Sequence, residues 1–176
     1  VTTINTNPYN APSSSKYIPI KSDFVVHWKL NPKIIPKYIE NYQDQVNKRL
    51  TNKKISLIRD SSFKLISLNF EKDISNWVGD YGSFAIFNTN KQLLHDWILV
   101  LGIKDGVNIE EEFESILDSK DFDKNIESTN SLGKSKTEII SKNINSDHSI
   151  YISKNEDNVL IASNPRIIKS SIAESD

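Results

Sequence analysis

The sequence predicts an α+β domain, a mostly antiparallel sheet of about six strands with helices packed on it. Three observations carry this. Several short segments rich in Val, Ile, Phe, Tyr or Trp read as strands, two of them clearly bounded by turn residues. Most of them follow one another through short polar turns, which join antiparallel neighbours and leave no room for a crossover helix. Apolar residues at helical spacing fill much of the rest, so helices must lie against the sheet. At 176 residues the chain has the size of one domain and can hide roughly 70% of its unfolded surface.

Residues 1–16, VTTINTNPYNAPSSSK, are too polar to offset the cost of ordering and read as a flexible tail or linker, leaving 17–176 as the single folded domain. The first strand runs from Phe24 to Leu30. Phe24, Val26, Trp28 and Leu30 share one face, and Val25, His27 and Lys29 the other, so Trp28 is expected to be buried and His27 more exposed. Asn31-Pro32 opens a helix carrying Ile35, Tyr38, Ile39, Tyr42 and Val46, with Pro36 delaying its first regular turn. Lys48, Arg49, Lys53 and Lys54 would close it against the helix dipole, or bind a lipid headgroup. A second helix is expected from about Asp60 to Leu68. A third, KDISNWVGD, would stop at Gly79 as a left-handed cap. GSFAIFN and DWILVLGI follow as strands, joined by a turn around Thr89 to Gln92. The second is apolar on both faces, which marks a central strand needing cover on both sides, from this chain's helices, a partner or a further domain. Asn108 and Glu111 resemble a capping box opening a helix with Phe113, Ile116 and Leu117 on its buried stripe. Residues 118–135 read as a long loop. KTEIISKNI, SIYISK and NVLIAS are strands linked by tight turns, and Asn164-Pro165 begins the last helix.

The composition narrows the chemistry. A formal net charge of −1 gives no field suited to nucleic acid. The absence of cysteine excludes disulfides, thiol nucleophiles and cysteine-based zinc sites. No apolar run approaches the roughly eighteen residues of a membrane span. The abundance of Lys, Ile and Asn is the mark of an AT-rich genome. His27, His95 and His148 lie in different elements, none paired at the i, i+4 spacing of a zinc site. GIKDGVNIEEE could suggest a phosphate loop, but Glu110, Glu111 and Glu112 stand where the phosphate would sit. DFDKNIE places Asp121, Asp123 and Asn125 at the alternating positions of a calcium loop, yet Ile126 and Leu132 replace its glycine and final glutamate. No serine has a recognisable base beside it in the sequence. No catalytic set and no cofactor are expected.

Taken in order, YIPIKSDFVVHWKLNPKIIPKYIE, IRDSSFKLISLNFEKDISNWVGDYGSFAIFN, DWILVLGIKD and DNVLIASNPRIIKSSI resemble the cyanobacterial family catalogued as domain of unknown function 3352. There a proline-led approach precedes a strand ending in His-Trp, then an Asp/Asn-Pro and a helix. An Arg-Asp helix later leads to a Trp-Leu-Gly, here Trp77-Val78-Gly79. A Leu-Ala-Ser strand, here Ile161-Ala162-Ser163, precedes a helix. The resemblance implies the N-terminal soluble portion of a longer, membrane-anchored protein, its anchor outside this chain and the domain exposed on the extracytoplasmic side. A chain that begins at Val1 and contains no methionine is expected to be a processed or trimmed piece, with any targeting signal upstream of it. The family carries no catalytic residues to transfer.

Two functional classes follow, with an enzyme of unknown class a distant third. The first is a noncatalytic interaction or scaffold domain, its partner another protein or the missing downstream domain. The second is a small-molecule or lipid-binding module, with Trp28, Trp77 and Trp97 as the aromatic side chains that could line an apolar pocket. A deep apolar cavity would favour the second class, and a flat apolar patch the first.

Overall fold

A strand that is apolar on both faces is stable only with neighbours at both edges and cover on both sides. The computed structural model, which describes residues 11–29, 45–87, 96–119, 138–145 and 148–175, meets both requirements for DWILVLGI. A 3-10 turn, Ser13–Tyr17, leads to β1 (Phe24–Trp28), α1 (Gln45–Leu65), a π-helical turn (Phe70–Ile74), β2 (Val78–Phe87) and β3 (Asp96–Ile103). Then come α2 (Ile109–Ser119), β4 (Ile140–Asn145), β5 (His148–Asn155), β6 (Asn158–Ala162) and α3 (Pro165–Ser175). The six strands form one sheet in the order β1-β2-β3-β6-β5-β4, every pair antiparallel. This is the α+β architecture expected.

Each face of β3 seeds its own core. Leu101 on one face packs with Phe63, Phe70, Ile74, Trp77, Ile116, Val159 and Ile161, beneath the end of α1, the π-helical turn and α2. Ile98 and Val100 on the other face pack with Leu160, Ala162, Ile167, Ile168 and Tyr17, beneath α3 and the N-terminal turn. Elements of this chain therefore lie on both sides of the central strand, and on the first face they leave Trp97 and Leu99 half-buried.

Several local expectations are corrected. The lead-in read as a tail joins the fold from Ser13 onward: Ser14 and Tyr17 are fully buried. Beside the packing of Tyr17 in the second core, polar contacts anchor it. Ser14 Oγ lies 2.7 Å from Ser83 Oγ, Lys16 pairs with Glu156, and the Tyr17 hydroxyl donates to the same carboxylate. Sequence composition cannot foresee such bonds, because their partners lie far away in the chain. Lys48, Arg49, Lys53 and Lys54 do not close a helix. They lie within α1, which continues to Leu65. Its end has the left-handed residue that the sequence placed at Gly79. Ser67 has φ 58°, the Leu68 amide donates to the Phe63 carbonyl and the Ser67 amide to the Lys64 carbonyl. Buried Phe63 and Leu68 complete this Schellman motif. Gly79 instead sits in β2, where a side chain would press on the Ile103 and Gly102 carbonyls at 3.1 and 3.2 Å. Asn108 bonds the Glu111 side chain at 2.8 Å, a bond between side chains. The helix expected from Asn31, the turn at 89–92 and the loop at 118–135 lie mostly or wholly outside the described residues.

Candidate functional site

The cover on the first face is thinnest over β1, β2 and β3, and there the surface opens into an apolar cleft of about 540 Å³. Trp28, Phe84, Trp97, Leu99 and Leu101 form its sheet side. Strand pairing puts them together: Trp28 stands opposite Gly82, Phe84 opposite Leu99, and Trp97 opposite Ile86. Arg59, Ser62, Phe63 and Ile66, at i, i+3, i+4 and i+7 of one helical face, form the wall, with Leu65 at the rim. Gly82 makes room for Trp28, since a Cβ there would fall within the indole ring.

The polar groups of the wall are already engaged. The Arg59 guanidinium pairs with Asp60 and Glu71, both at 2.8 Å, and stacks on Phe70 at 3.8 Å. Ser62 donates to the Ile58 carbonyl. One lining group differs. Trp28 Nε1 is buried and has no hydrogen-bond partner. A buried donor left unpaired costs about 1–3 kcal/mol.

Trp28 and Trp97 thus both line the cleft, and Trp77 does not. Trp77 is fully buried deeper in the same core, its Nε1 donating to the Asp73 carbonyl at 2.7 Å. The helical wall and Phe84 were missed in the sequence. The spacing of Arg59, Ser62, Phe63 and Ile66 marks one helix face, but which strands it meets depends on topology.

Two other clusters have simpler chemistry. His27 Nδ1 lies 2.7 Å from Ser83 Oγ, so one serine does have a base beside it once β1 and β2 pair. Ser83 is fully buried, however, and its hydroxyl also meets Ser14, which makes this a clasp holding the N-terminal turn to the sheet. Partial burial of the imidazole lowers the His27 pKa below the ordinary histidine value. At one end of the sheet, a polar cleft of about 310 Å³ holds Lys104, Asp105, Glu110, Lys154, Glu156 and Asp157. There the Glu110–Lys154 pair holds the Glu110 carboxyl below its usual range. Among the described residues no three potential metal ligands come together. Asp121, Asp123 and Asn125, the calcium-loop candidates, lie outside the described residues, as does His95.

The fold and the cleft define an α+β domain with a two-sided helical cover and a single-walled apolar recess. The chain belongs to the family described as "Protein of unknown function (DUF3352)", whose model matches residues 2–176. No curated protein and no solved structure matches it.

Proposed function

We propose that this domain is a noncatalytic binding module whose cleft takes an apolar small molecule or lipid. The observation that carries this reading is the recess itself, lined by Trp28, Phe84, Trp97, Leu99 and Leu101, with the polar groups of its helical wall already engaged. A recess of about 540 Å³ has the size usual for small-molecule sites and suits an acyl chain or a ring system of modest size. The ligand's apolar body would displace water from Phe84, Trp97 and Leu99.

Titration with a fluorescent polyene fatty acid tests this. Saturable binding at one site is expected, abolished by Ser62→Trp, which fills the cleft from an exposed helical position. Absence of saturable binding by the parent chain would end this reading.

A second reading rests on a different observation, the exposed apolar side chains of the edge strand β1, with Phe24 53% exposed. These suit a noncatalytic interaction or scaffold domain, tethered to a membrane through an anchor outside this chain and facing the extracytoplasmic side. The source as a cyanobacterium, like the anchoring, rests on the sequence resemblance. No helix among the described residues is long and apolar enough to cross a membrane. Fractionation of source cells with an antibody to this domain would test the placement: recovery in the cytosol would count against it.

A further inference from the structure

Positive charge and exposed apolar surface meet on one helix. α1 carries Lys48, Arg49, Lys53, Lys54, Arg59 and Lys64 against a single acid, Asp60, in a chain whose formal net charge is −1. The rest of the chain is therefore acidic, and this helix is its basic element. The same helix holds Leu57, Ile58 and Leu65, which are 65%, 65% and 77% exposed.

Helical spacing puts the two kinds of residue on one side. Lys53, Leu57 and Lys64 form one row, and Lys54, Ile58 and Leu65, each one position further on, form the row beside it. All six are exposed. The opposite side of the helix, with Arg59, Phe63 and Ile66, is the wall of the cleft. Each apolar residue of the outer side stands beside a lysine. The one acid at its border, Asp60, is tied to Arg59 at 2.8 Å.

This mixture says what the face is suited to. An interface to another protein gathers apolar residues at its centre and is poor in lysine. A second copy of the same face would set lysines against lysines. An anionic bilayer satisfies both kinds of residue at once, because its headgroups attract the ammonium groups while its acyl boundary receives the apolar side chains. We propose that the outer face of α1 is a docking surface for a lipid bilayer carrying anionic headgroups. Leu57, Ile58 and Leu65 enter the boundary below the headgroups, and Lys53, Lys54 and Lys64 extend along it to the phosphates. Leu65 also stands at the rim of the cleft, so docking brings the cleft mouth to the bilayer surface. Docking itself does not require that the cleft hold a ligand.

Cosedimentation of the 176-residue chain with vesicles tests this. Vesicles of equal parts phosphatidylglycerol and phosphatidylcholine should bring the chain down at low salt, and vesicles of phosphatidylcholine alone should not. Added salt should weaken the binding. Lys53→Gln with Lys54→Gln removes two cations and should weaken it about thirtyfold. Leu57→Ser with Ile58→Ser keeps the charge and should weaken it about tenfold. All four positions are exposed and none lines the cleft, so both double variants should keep the parent's Tm and its response to the fluorescent fatty acid. Vesicle binding by a parent chain that takes up no fatty acid would uphold the docking and end only the cleft reading. No binding to the anionic vesicles at low salt overturns the proposal, as does binding that both double variants retain. Self-association abolished by Leu57→Ser with Ile58→Ser, without vesicle binding, would overturn it in favour of a second copy.

Discussion

His27 shows how much of a side chain's behaviour depends on what lies across from it. Its lowered pKa means the unfolded chain binds a proton more readily than the folded one in the mildly acidic range. The sign follows from linkage: the stability held by neutral His27 is whole above about pH 6.5 and is lost as the pH falls through its depressed folded value. Urea denaturation at several pH values between about 5 and 8 should therefore show stability rising with pH, with a shallower rise in His27→Gln. Identical slopes in the two proteins would dismiss this account. Gly82 makes a second case. Its Cβ would collide with the Trp28 indole and approach the Val100 carbonyl to 2.9 Å, so Gly82→Ala should cost about 1–3 kcal/mol and push Trp28 into solvent. A red-shifted emission that disappears in the Trp28→Phe background would verify it. The alternation of β1 did read correctly that His27 is more exposed than Trp28, which is half-buried. The sequence offered no sign that His27 meets Ser83, because 55 residues of chain separate the two and only strand register joins them.

Among the elements, the ends were harder to read than the middles. DWILVLGI, NVLIAS and the helix after Asn164-Pro165 all formed where their patterns placed them, since period and flanking breakers act locally. The cap at the end of α1 did not, because the residue in left-handed geometry is a serine and the eye is drawn to the nearest glycine. That departure is testable. A Cβ is disfavoured at positive φ, so Ser67→Gly should stabilise the domain by about 1 kcal/mol, seen as a raised Tm. No gain over Ser67→Ala would mean the Schellman geometry does not strain the serine. The π-helical turn was read as an ordinary short helix. Its start is held by two reciprocal bonds: the Lys72 amide donates to the Asn69 side chain at 3.0 Å, and the Asn69 amide to the buried Asp73 carboxylate at 2.6 Å. Asn69→Ala should cost about 1 kcal/mol in chemical denaturation. An unchanged midpoint would show that Asp73 suffices alone.

At the scale of the whole molecule, the cleft was legible only in part. Two of its aromatic residues stood out as tryptophans, but the recess exists because α1 reaches β1–β3 at one end while α2 and the π-helical turn cover the rest of that face. The sheet predicts a gradient of protection. β3 and β6 are paired on both edges and covered on both faces, so their amides should exchange slowest, and those of β1 fastest among the strands. Uniform exchange across the sheet would contradict this. Ile168→Ala, at a fully buried position on the α3 side, should cost about 2–5 kcal/mol. The strand order has a further consequence. Each half is three antiparallel strands side by side in chain order and a closing helix, the first half with α1 and the π-helical turn inserted between β1 and β2, and in the sheet they meet at a single seam, β3 against β6. The helix that ends the first half roofs one side of the sheet, and the helix that ends the second roofs the other. Neither half can therefore keep both of its own sides dry. Severed between α2 and β4 and made as separate fragments, each should be sticky alone. Mixed, they should rebuild the sheet along that seam, giving a two-piece protein whose reassembly could be used as a reporter.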